Sequence, residues 1–142
     1  MIDFSEIYRQ SQGRSASKVG MVIALYETMI GDLARAVAAM GDNNVERRTR
    51  EIQHALTVLG VLQGTLNFEK GGRPAQELNR FYCMMRMQIM EAQLRSSKPI
   101  ADSVIGYLTE VCEAWRVVDL QMRRETHAGV DVPNNSTPSW TA

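Results

Sequence analysis

Two long stretches of helical periodicity meet at Gly71-Gly72-Arg73-Pro74, and that junction constrains the fold more than any other feature of the chain. Adjacent glycines reach left-handed backbone angles with no Cβ in the way, so Gly71 and Gly72 can close a helix C-terminus. Pro74 lacks an amide proton and is pre-set for the first turn of a following helix. A stop and a start this close together predict a tight connection between antiparallel helices.

The rest of the chain fits the same plan. Apolar residues recur at i, i+3, i+4 and i+7 in four segments. The first runs from about Ser17, a fair N-cap, to Met40, with a stripe of Val22, Tyr26, Met29, Leu33, Val37 and Met40. Gly41-Asp42-Asn43 ends it. The second runs from about Asn44 to Phe68 and buries Val45, Ile52, Leu56, Leu59, Leu62 and Leu66. The third runs from Pro74 to about Arg95, with Leu78, Tyr82, Met85, Ile89 and Ala92 inward. After a corner at Ser96-Ser97-Lys98-Pro99, the fourth buries Val104, Leu108, Val111, Cys112, Trp115, Val118 and Met122. No segment alternates with period two, so a sheet has no support. Short connections favour an all-α, antiparallel up-down four-helix bundle. Asp3 to Gln12 can form a short amphipathic helix through Phe4, Ile7 and Tyr8. Residues 1–126 are expected to form one domain, and residues 127–142, with Gly129, Pro133 and Pro138, a disordered tail.

A chain of 142 residues can bury a core without disulfides or metal. Its 16 Lys and Arg balance 16 Asp and Glu, which argues against nucleic acid or an anionic membrane as partner. Met1-Ile2-Asp3-Phe4 does not begin a secretory signal. The apolar run from Val19 to Tyr26 is far short of the roughly 20 residues a membrane helix needs, so no membrane insertion is expected. Cys83 and Cys112 fall on different helices and suggest no disulfide framework. A reduced, cytoplasmic protein is the plain reading.

Catalysis finds little support. Glu51-Ile52-Gln53-His54 has the Glu-x-x-His spacing of di-iron bundles, but those sites need a second such motif and further carboxylates. Neither cysteine has a histidine near it in sequence, and no phosphate loop or nucleophile elbow occurs. No enzyme, cofactor or metal site is expected.

Binding finds more. On the third helix Cys83, Met87, Met90 and Leu94 fall opposite the core stripe, and apolar residues all around a helix imply cover on both sides. Methionine suits a surface that accepts partners of imperfect shape. Smaller off-core patches are Met21 and Leu25 on the first helix and Val58 and Val61 on the second. Two readings fit: these residues are ordinary surface or are covered by the chain's own ends, or they form grooves for a partner's amphipathic helices.

Several motifs in one order carry a resemblance. Tyr8, Ser15-Ala16-Ser17, Leu25-Tyr26, the Gly71-Gly72 turn, Leu78-Asn79-Arg80-Phe81-Tyr82, Ala92 and Ala114-Trp115 resemble the pattern of the FliS family of flagellar secretion chaperones. The chain departs from it at Lys18, where the family has a proline, at Thr28 for a glycine and at Phe81 for a leucine. The resemblance implies an export chaperone that binds the disordered C-terminal segment of flagellin, prevents early polymerisation and presents the complex to the flagellar export gate. It also implies that the segment with Ile7 and Tyr8 docks over the binding surface and moves when the client arrives. The alternative from the residues alone is a helical adaptor pairing with another protein, or as a weak homodimer, through the Met-rich face.

Overall fold

The structure is a computed structural model that describes residues 18–136. Four helices follow one another: α1 (Lys18–Gly41), α2 (Val45–Gly64), α3 (Phe68–Arg95) and α4 (Lys98–Ser136). The described residues contain no strand. Helix α1 packs on α2 and α4, and α3 closes the bundle by packing on the same two helices. Every residue from 22 to 26 is buried, so α1 is enclosed on all sides near its start. Its stripe continues through Met29, Leu33 and Ala36 and meets Ile52, Ala55, Leu59 and Leu62 of α2, Tyr82, Met85 and Ile89 of α3, and Val104, Leu108 and Cys112 of α4.

The helix ends follow from the polar residues beside them. After α1, Asn43 takes the left-handed angle (φ 54°) that asparagine tolerates better than most residues. Asn44 then caps α2, its side chain accepting from the Arg47 amide at 3.0 Å. Ser96 is left-handed at the end of α3 (φ 50°), and the Ser97 hydroxyl accepts the Ile100 amide at 3.2 Å to open α4. Ser17 lies outside the described residues.

The α2–α3 junction is more elaborate than its sequence suggests. Helix α2 stops at Gly64 rather than near Phe68, because Thr65 turns its hydroxyl and amide back onto the Leu62 carbonyl at 2.7 and 3.1 Å. Asn67 then caps a new short turn over residues 68–71. Gly72, at φ 53° and ψ −132°, breaks that turn from the long part of α3, which starts around Pro74. Only Gly72 needs its unusual angles; Gly71 is small for another reason, since a Cβ there would lie 2.8 Å from that of Ala75.

Two expectations are corrected. Val45 is 57% exposed, because the first turn of α2 precedes the packed part of that helix. Val118 and Met122 of α4 are also exposed, since the packed core on that helix ends at Trp115. Helix α4 itself continues through residues 127–136. Glycine costs only about 1 kcal/mol inside a helix. Pro133 removes one amide bond close to the helix end, where few further bonds depend on it.

Candidate partner-binding surface

Helix α3 has two apolar faces. One is core, with Tyr82, Met85, Ile89 and Ala92 almost fully buried. The other carries Met87, Met90 and Leu94 at 70%, 55% and 83% exposure, with exposed Cys83 at its start. Met84, which the sequence reading left out, extends the stripe at 54% exposure. It lies three residues before Met87, the spacing that makes helix side chains neighbours.

Polar side chains between α2 and α3 fix which face turns outward. Near one end Gln63 donates to Asn79 at 3.1 Å and accepts from Arg86 at 2.6 Å, and its amide also reaches the Cys83 sulfur at 3.6 Å. Near the other, Gln93 accepts from Arg48 at 3.1 Å and donates to Thr49 at 2.8 Å. Rolling α3 to bury the methionines would break both sets.

The smaller patches fare differently. Leu25 and Val58 are core residues, at 1% and 0% exposure, and present no surface. A helix with two packed neighbours buries a wide stripe, so Val58 joins Ala55, Leu59 and Leu62, and Leu25 joins Tyr26 in the enclosed part of α1. Met21 and Val61 are partly buried against the core. Ile7 and Tyr8 lie outside the described residues.

A second apolar feature lies where the start of α1, the α2–α3 junction and α4 come together. It is a cleft of about 480 Å³ walled by Val19, Val22, Leu66, Leu78 and Trp115, with Tyr82 in its lining and Lys18 and Lys70 at its edge. Behind it the Tyr26 hydroxyl donates to the Tyr82 hydroxyl at 2.9 Å, the rings tilted at 55°. Burial pushes both tyrosine pKa values up, so both stay protonated well beyond neutral pH. Residues of separate motifs thus converge: Tyr26, the glycine turn, Tyr82 and Trp115 all stand at this end of the bundle.

Sequence reasoning also missed a charged cluster between α1 and α2. Asp32, 1% exposed, meets His54 and accepts from Arg35 at 2.7 Å, while Arg35 also pairs with Glu51 at 3.1 Å. Burial raises the Asp32 pKa above its ordinary 3.8, against the pull of the His54 hydrogen bond and the Arg35 charge. The Glu51-x-x-His54 spacing therefore serves a clamp between helices. Among the described residues no group of three His, Cys, Asp or Glu is placed to hold a metal ion. No described helix is long and apolar enough to cross a membrane.

The sequence is similar to known proteins over most of its length. Residues 2–122 match the family model described as flagellar protein FliS. The chain is 29% identical over 111 residues to the flagellar secretion chaperone FliS of Campylobacter jejuni, covering 78% of this chain and 87% of that protein. It is 27% identical over 129 residues to the Vibrio cholerae chaperone of the same name, covering 91% and 95%. With the Salmonella typhimurium chaperone it shares 25% over 116 residues, or 81% and 86%. With a match that runs from residue 2 to residue 122 and takes in α1, α2, α3 and the packed part of α4, the chain belongs to the FliS family of flagellar secretion chaperones.

Proposed function

We propose that this protein is a cytoplasmic export chaperone that binds the C-terminal segment of flagellin, keeps it from polymerising early and hands it to the flagellar type III export apparatus. The observation that carries this reading is the exposed stripe of Met84, Met87, Met90 and Leu94 on α3, opposite a fully packed core face. Flexible, polarizable side chains in a row suit the apolar face of a partner helix. The scaffold is read as an antiparallel up-down bundle. That order is supported by the pairing of Arg48 and Thr49, early in α2, with Gln93, late in α3, and of Gln63, late in α2, with Asn79, early in α3. The activity is binding alone, with no catalytic step.

Calorimetry with the last ~40 residues of the cognate flagellin tests it: a one-to-one complex with a clearly negative heat-capacity change is expected, as for a segment that folds on binding. Absence of both heat and a shift in elution volume would overturn it.

A further inference from the structure

Three thioethers face outward from the middle of α3, and a fourth in the same stretch does not. Met84, Met87 and Met90 are each more than half exposed, whereas Met85 is almost fully buried in the core. Met84, Met85, Met87 and Met90 are four of the chain's nine methionines, gathered within two turns of one helix. The exposed three cannot turn inward. The bonds of Gln63 to Asn79 and Arg86, and of Gln93 to Arg48 and Thr49, hold α3 in its rotation.

A thioether open to water is open to two-electron oxidants. Its sulfur lone pair attacks one oxygen of a hydroperoxide and the O–O bond breaks. The sulfur is oxidised to a sulfoxide, and the peroxide is reduced to water or an alcohol. The free chain accommodates the new S=O group, because water hydrates it on an exposed side chain. A client helix lying on the stripe removes that water and sets an apolar face against the acceptor, which is left unpaired. Oxidation therefore acts against the client-bound state while sparing the fold. We propose that Met84, Met87 and Met90 form a modification site at which peroxide switches off client binding. Reduction restores the surface: two thiols of a reductase become a disulfide, and the sulfoxide oxygen leaves as water. The proposal rests on the reading of this stripe as the flagellin-binding surface and adds its regulation. Cys83, exposed at the start of the stripe, is a further oxidisable group, so its contribution is separated in the test.

The test uses the full chain carrying Cys83→Ser, treated with dilute hydrogen peroxide with or without the cognate flagellin C-terminal peptide and mapped by mass spectrometry. Met84, Met87 and Met90 should gain oxygen well before Met29 and Met85, which are buried, and the bound peptide should protect them. The oxidised chain should bind the peptide about tenfold more weakly than the same chain before treatment, with an unchanged urea midpoint. Methionine sulfoxide reductases of both stereospecificities, supplied with a dithiol, should recover the lost affinity. Met84→Leu, Met87→Leu and Met90→Leu together keep the stripe apolar and remove the three sulfurs. In that variant the ratio of affinities before and after peroxide should fall to about one.

Equal affinity before and after oxidation of the three sites would overturn the switch and leave the chaperone reading standing. Uptake of oxygen by Met85 as early as by its neighbours would overturn it, and so would a loss of binding that persists in the leucine variant or comes with a lower urea midpoint. No binding by the untreated natural chain would overturn both readings.

Discussion

Asp32 is the one buried charged side chain among the described residues, and its surroundings give it a defined effect on stability. Its folded-state pKa lies above the ordinary 3.8, with burial the leading cause. The folded protein then holds that proton more tightly than the unfolded chain does. The resulting stabilisation is complete below the unfolded value and is lost as pH rises through the folded one. Asp32→Asn keeps an acceptor for Arg35 and removes the titration. Unfolding free energies measured in urea from about pH 4 to about pH 7 should therefore decline less in the variant than in the wild type. An equally steep decline would assign the pH dependence to another group. This cluster has no local signature: Asp32 and His54 sit on different helices, and only the docking of α1 on α2 brings them together. The Tyr26–Tyr82 pair was hidden for the same reason. Each tyrosine reads singly as a core residue with its hydroxyl at the rim, yet the two hydroxyls meet across the bundle.

The helices themselves were far more legible, because caps and periodicity are local. Asn44 and Ser96 act where the sequence places the ends. The end of α2 was not legible, since Leu66 and Phe68 continue the apolar period past the point where Thr65 folds back and Asn67 starts a new turn. The outward stripe on α3 was legible at Cys83, Met87, Met90 and Leu94, while Leu25 and Val58 were misplaced. Periodicity locates the centre of a buried stripe better than its width, which depends on how many neighbours a helix has. At the junction the glycines divide the work. Gly72 has open space where a Cβ would stand, so Gly72→Ala should act through backbone strain alone. A loss of about 1–3 kcal/mol in thermal or urea unfolding is expected for a side chain held at such angles. An unchanged midpoint would mean that the turn relaxes freely and does not set the entry of α3.

At the scale of the molecule, a compact core leaves apolar surface in two separate places. Helix α4 has 39 residues against 24 in α1, so at 1.5 Å per residue it is longer by roughly 22 Å. Val117, Val118 and Leu120, beyond its last packed residue, are exposed. The α3 stripe differs in lying beside the core, on a helix whose rotation is held from both ends by Gln63 and Gln93. Its exposure is thus built into the packing. The central claim is that this stripe holds the client and is not part of what holds the fold. The most direct measurement is the affinity of the Met87→Ser, Met90→Ser double variant for the flagellin C-terminal segment, with its stability read on the same sample. The account predicts at least a tenfold loss of affinity, about 1.4 kcal/mol, with stability within about 0.5 kcal/mol of wild type. It would be contradicted by unchanged affinity, or by a loss of stability like the ~2–5 kcal/mol expected of Leu59→Ala in the packed core.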